Sequence, residues 1–257
     1  MLFLKRWLIV TAILTAVCSS RAVAQDSQLK DFTFEDVPTE EAKPPYFAAA
    51  GGFLVMPMFQ DLAAVNQTVG AILPGASFNA PLWLFGGQGF VAIGIVPNLR
   101  LGVFSAAGSL TNTAEVGSVS KRAEYGISMT GFSVDYAFMP AKGLALLPGV
   151  NLGFGTVSFE ASQSSGMRSF GQTFPPAAQS GNFRSSISAN HFFVQPTFNI
   201  EYAFSLLTMV RLNAGYSLSF VSDWRVDRLA PISNVPASFN ASGLTAQIGI
   251  FVGIFSN

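Results

Sequence analysis

His191 is the chain's single histidine, and Ser186 and Ser188 lie close to it. A serine activated by histidine is the chemistry of hydrolases. In an extended segment, however, Ser188 and His191 are three positions apart and point to opposite faces, and no acid is placed to orient the ring. The expected role is an ordinary histidine near a rim, and no catalytic residue is assigned. One histidine excludes a multi-histidine metal site, so no metal is expected. Gly86, Gly87, Gln88, Gly89 and Gly94 superficially match a dinucleotide-binding loop. That loop must open a helix, whereas here 90–96 continues as strand, and no cofactor is expected.

The stronger constellation is ionic. From Phe192, bulky apolar residues (Val194, Phe198, Ile200, Tyr202) alternate with Gln195, Thr197, Asn199 and Glu201. On the return, Val210, Leu212, Tyr216, Leu218 and Phe220 alternate with Arg211, Asn213, Gly215 and Ser217. Both arms have period two. A turn at 205–207 sets Glu201 opposite Arg211 and Asn199 opposite Asn213, with Gln195 facing Ser217. All the polar groups then share one face.

Which face meets water follows from composition. Only 11% of the 257 residues are charged and 50% are hydrophobic, against roughly a quarter charged in ordinary soluble domains. The mean hydropathy is +0.43. The polar positions carry Gly, Ser, Thr and Asn, which suit a crowded interior better than a wetted surface. The apolar face is therefore expected to meet lipid and the polar face to line a closed barrel. The formal net charge is zero, so nucleic acid is not an expected partner.

The elements that position these groups come in order. Residues 1–24 read as a cleavable signal peptide: Lys5 and Arg6, an apolar run over 7–17, and Ala22-Val23-Ala24 as cleavage site. The run is shorter than the ~20 residues a spanning helix needs. Cleavage after Ala24 removes Cys18, the only cysteine. Residues 25–45 form an acidic tail holding six of fourteen carboxylates, expected in the periplasm. Strands are expected over 46–58, 82–96, 99–107, 122–138, 144–161, 192–203, 210–220 and 244–255. In the fourth, Tyr125, Ile127 and Met129 share one parity and Phe132, Val134 and Tyr136 the other, which calls for a bulge near Thr130 and Gly131. Leu62, Val65, Val69 and Ile72 recur at helical spacing, giving a helix over 61–73 that Asp61 could cap. It would lie at the rim or plug the mouth.

The connections alternate. Those after strands one, three, five and seven are long, including polar loops over 110–121, 162–186 and 222–242; the others are short. Eight strands, long loops outside and short turns inside describe an eight-stranded antiparallel transmembrane β-barrel, all-β, with one short extracellular loop helix, over 46–257. Its lumen is expected to hold Gln88, Arg100, Asn151, Gln195, Asn199, Glu201, Arg211, Asn213 and Gln247, with Asp135 depending on the bulge. Trp83, Tyr125, Tyr136, Tyr202 and Tyr216 are expected in interfacial girdles.

In topology and in its aromatic terminal strand the chain resembles the small OmpA/OmpX-type outer-membrane barrels. Asp61-Leu62 with Asn66, Gly86 to Phe90, and Asn98-Leu99-Arg100-Leu101-Gly102 are similar to a group of uncharacterised bacterial outer-membrane proteins. The resemblance implies fold and location in the bacterial outer membrane, with outer-membrane lipid as partner, and no chemistry. Three functions are expected in descending order: a non-enzymatic structural or surface-interaction protein using the loops 162–186 and 222–242 toward an extracellular ligand; a narrow channel or carrier for small or apolar solutes; and a lipid-modifying hydrolase at His191.

Overall fold

The chain divides into Met1–Pro44 and Pro45–Asn257. The computed structural model describes residues 48–92, 94, 96–165 and 182–255, all in the second unit. The signal peptide, the acidic tail 25–45 and most of the loop 162–186 lie outside the described residues.

Eight long strands form one antiparallel sheet: β1 Ala48–Phe59, β2 Leu82–Ala92, β3 Leu99–Val116, β4 Val119–Tyr136, β5 Leu144–Ser165, β6 Phe183–Ala203, β7 Thr208–Val221 and β8 Gly243–Phe255. Each pairs with its neighbour in sequence, and β8 pairs with β1 from Ala48↔Phe255 to Phe59↔Leu244, which closes the barrel. The hairpin of β6 and β7 has the register expected, Glu201↔Arg211 and Asn199↔Asn213. One helix, α1 Ala63–Ile72, connects β1 and β2. Asp61 accepts a hydrogen bond from the Ala63 amide (2.9 Å) but sits one residue before the cap position, which Leu62 occupies.

Several expectations are corrected. The register of β4 against both β3 and β5 is unbroken through Thr130 and Gly131, so there is no bulge. Odd-numbered β4 residues point inward along its whole barrel portion, Ala123 and Tyr125 down to Ser133 and Asp135. What changes is the chemistry of the interior, apolar above and polar below. Tyr125 is therefore not in a girdle: it is fully buried, and its hydroxyl donates to the Asn240 carbonyl (3.0 Å). Residues 110–121 are not a loop either, because β3 and β4 run on to a two-residue turn at Gly117, whose φ of +64° favours glycine. Likewise β5 and β6 extend to Ser165 and Phe183, and β2 ends at Ala92.

The outer wall is apolar. Phe53, Phe85, Phe132, Phe154, Phe220 and Ile250 are each more than half exposed. On β6 the belt runs from Tyr202 up to Phe192, ten steps, which is about 33 Å of strand and about 25 Å of height at the usual tilt. That matches the apolar band of a membrane-spanning barrel. Trp83, Tyr136, Tyr202 and Tyr216 are exposed on it; Tyr216, two residues beyond the Ala214 that pairs with Phe198, lies along the belt and not at its border.

Above the belt the outer face turns polar. Arg122 and Glu124 pair at 2.6 Å, and Arg184 and Glu160 at 2.8 Å. The hydrogen bond from Arg122 holds the Glu124 carboxyl below the usual carboxylate range. Such exposed pairs contribute little stability, but they mark where lipid ends.

Candidate functional site: the sealed lumen

The interior is stacked in three layers. At the bottom, Ala48, Phe90, Ala92, Met209, Phe251 and Phe255 form an apolar floor. At the top, Val65 and Val69 of α1 pack with the inward residues Leu54, Met56, Met58, Leu84, Ile127 and Met129. The helix thus plugs the mouth, the second of the two placements its sequence allowed. Asn66 clamps the following loop, accepting from the Phe78 amide (2.6 Å) and donating to the Phe78 carbonyl (3.0 Å).

Between these layers lies the ionic network. Glu201 bridges two arginines: Arg100 Nη1 donates to Oε2 at 2.7 Å, and Arg211 Nε donates to Oε1 at 2.6 Å. Arg211 Nη2 also lies 2.6 Å from Oε1, without hydrogen-bond geometry. Arg100 Nη2 reaches Asp135 Oδ2 at 3.1 Å. Both arginines are fully buried, and both carboxylates nearly so. Two cations and two anions make the cluster neutral, as burial this complete requires. The guanidinium of Arg100 lies 4.0 Å over the Phe90 ring, and that of Arg211 lies 4.4 Å from Phe251 and 4.8 Å from Phe90. The floor therefore stabilises the cations through its ring faces.

Amide groups extend the network. Asn213 Nδ2 donates to Asn199 Oδ1 (2.6 Å), and Asn199 Nδ2 donates to Asp135 Oδ1 (3.2 Å). Asn151 Nδ2 donates to Gln195 Oε1 (3.1 Å), and Gln195 Nε2 to Thr245 Oγ1 (2.7 Å). Gln247 donates to Gln88 (3.2 Å) in a separate pair. All ten residues named from sequence thus point inward: Arg100, Asp135, Asn199, Glu201, Arg211 and Asn213 form one cluster, Asn151 and Gln195 a second with Thr245, and Gln88 with Gln247 a third. Sequence reasoning missed Phe90, Phe251 and Thr245. Thr245 and Phe251 share the inward parity of Gln247, which was the available signal.

Room for these side chains comes from glycines on adjacent strands. A Cβ on Gly149 would fall on Asp135 Oδ1 and within 2.7 Å of the Val134 carbonyl. Gly149→Ala should therefore push Asp135 off Arg100 and cost about 1–3 kcal/mol, read as a lower urea midpoint in lipid vesicles.

His191 is buried, as Gly155 leaves space for its ring. Nε2 donates to the Ser128 carbonyl (3.2 Å), which leaves Nδ1 to accept from the Ser219 hydroxyl (3.0 Å). The serine paired with His191 is thus Ser219, not Ser186 or Ser188. A carbonyl occupies the position where a hydrolase needs an orienting carboxylate. Among the described residues no cluster of three or more His, Cys, Asp or Glu could hold a metal ion.

A closed eight-stranded barrel with a lipid-compatible outer belt and a polar, filled interior defines a transmembrane β-barrel of the outer-membrane type. The chain is similar in fold to solved outer-membrane proteins at low identity. For Ail, the attachment invasion locus protein of Yersinia pestis, identity is 12% and the TM-score 0.34, covering 82% of this chain and 99% of that one. A major outer membrane protein of Thermus thermophilus gives 10% and 0.45, over 80% and 99%. The outer membrane protease OmpT of Escherichia coli gives 7% and 0.32, over 83% and 98%. No protein-family model and no curated protein sequence matches the chain.

Proposed function

We propose that the protein is a non-enzymatic barrel of the bacterial outer membrane that acts as an anchor and presents a raised sheet for contact with other proteins. The observation that carries this reading is an asymmetry in strand height. β2 pairs with β3 only as far as Phe85↔Ala107, yet β3 continues to Val116 and pairs there with β4 alone. Beyond Gly108, which still lies against the Trp83 backbone, eight residues, about 26 Å of strand, carry an edge that no described strand covers. The loop after α1 meets that edge at one point, where Asn112 Nδ2 donates to the Ser77 carbonyl (2.8 Å). The opposite edge of the raised sheet is covered, because Ile187 and Ser188 of β6 pair with Val226 and Arg225. An unpaired edge is a template for adding a strand from a partner. The interaction surface is thus the β3–β4 hairpin, together with the connections that follow Ser165 of β5 and Val226.

The filled lumen argues for an anchor over a channel or carrier, since a solute would have to displace both α1 and the ionic cluster. The test is to display the chain on cells, either intact or with residues 111–124 replaced by Asn-Gly. Attachment to a cultured-cell monolayer should fall to the level of cells without the protein, while the purified intact chain gives no current steps in planar bilayers. Unchanged attachment, or stepwise currents, would overturn the reading.

A further inference from the structure

On the outer wall, a cleft of about 680 Å³ opens between β5, β6 and the segment that follows β7. Its floor is Thr156, Ser188 and Asn190, and its walls carry Asp223, Arg225 and Arg228. The floor is fixed in place: the Ser222 amide and hydroxyl both donate to the Asn190 carbonyl at 2.8 Å, and Thr156 Oγ1 donates to Asn190 Oδ1 at 3.4 Å. Arg225 is held in register opposite Ser188 by the short pairing with β6. Arg228 sits in a tight turn closed by the Leu229 amide donating to the Val226 carbonyl (2.9 Å), with Asp227 and Arg228 at φ +51° and +62°. The lining residues are two cations against one carboxylate, an excess of positive charge, while Asp227 of the same turn is outside the lining and acts on Arg184.

Its height gives this charge a meaning. Two residues down each strand, on the same face, lie Phe154, Phe192 and Phe220. Their rings form a continuous row, with Phe154 to Phe192 at 5.4 Å and Phe192 to Phe220 at 6.3 Å, exposed to the hydrocarbon. The step from this row to the Thr156, Asn190 and Ser222 row is about 7 Å. The basic cleft therefore stands where the headgroups of the outer leaflet begin, directly above an aromatic surface on which acyl chains can lie.

We infer that this cleft binds the phosphorylated headgroup of an outer-leaflet lipid, with Arg225 and Arg228 on the phosphate and the three phenylalanines under its acyl chains. Guanidinium groups suit phosphate because they offer paired N–H donors to its oxygens. Asp223 opposes the anion and sets the affinity below what the arginines alone would give. The site lies outside the barrel and does not depend on the lumen or on the free edge of β3.

Native mass spectrometry of the full chain in dodecyl maltoside micelles, titrated with lipid A carrying both phosphates, tests this. Binding should be about tenfold tighter than for the same glycolipid after dephosphorylation, and should weaken as salt rises. Arg225→Gln/Arg228→Gln should lose that tenfold preference while keeping the heat-modifiable gel mobility of a folded barrel. Asp223→Asn should tighten binding severalfold, a gain that misfolding cannot produce. Equal binding of the dephosphorylated lipid, or no response to either variant, would overturn the proposal. So would displacement of the lipid by an equal concentration of inorganic phosphate, which would make the cleft a site for a free anion.

Discussion

Glu201→Gln should lower the unfolding free energy by about 3–5 kcal/mol, the cost of leaving a buried ion without its partner. Glu201 touches both arginines, so neutralising it leaves Arg100 and Arg211 fully buried with one carboxylate, Asp135, between them. Neither cation can reach water, because the Phe90 and Phe251 floor lies under them. The double variant Glu201→Leu/Arg211→Met discriminates between a charge effect and a packing effect. It removes one charge of each sign and leaves the Arg100–Asp135 pair neutral, so it should lose no more than about 2 kcal/mol. Urea unfolding in phosphatidylcholine vesicles reads both. A double variant less stable than Glu201→Gln would show that the network stabilises by shape and not by charge balance.

The second large effect is on the outer face. Phe198 points outward near the middle of the belt, between Tyr202 and Phe192. Phe198→Arg should cost about 2–4 kcal/mol, the penalty for a guanidinium at the bilayer midplane. Asn190→Arg, on the same strand and face but above the belt, should cost no more than about 1 kcal/mol. The comparison holds the strand, the wall and the introduced charge constant, and Phe198→Ala and Asn190→Ala measured beside it account for the side chain lost at each position. Equal costs at the two positions would mean that the β6 face does not sense a hydrocarbon boundary between them.

The β6–β7 hairpin could be read from sequence because its lower half keeps polar residues strictly on one parity and carries a complementary pair, Glu201 and Arg211. The same rule misleads on β4. There Tyr125, Ile127 and Met129 point inward to meet α1, and an apolar residue facing a plug looks the same in sequence as one facing lipid. The bulge was needed only on the premise that the interior is polar throughout. The raised hairpin was hidden for the opposite reason. Above the membrane both faces of β3 and β4 are wetted over much of their length, so residues 109–121 lose the apolar alternation that marks a strand. Without the position of that turn, the pairing Arg100↔Asp135 has no sequence signature, since it is fixed by where Gly117 reverses the chain. The aromatic floor was missed because phenylalanine is common on both faces, and only the register places Phe90 and Phe251 under the arginines.

Phe192 and Phe193 are consecutive, and the structure sends them to opposite environments: Phe192 is 38% exposed on the outer wall and Phe193 is fully buried in the lumen beside Phe104 and His191. Replacing each in turn by the photoreactive residue p-benzoylphenylalanine, in barrels reconstituted in vesicles, asks which of the two touches lipid. The residue at position 192 should cross-link to lipid acyl chains, and that at 193 only to the protein itself. Lipid cross-links at 193 with none at 192 would mean that the barrel is turned inside out relative to the one described.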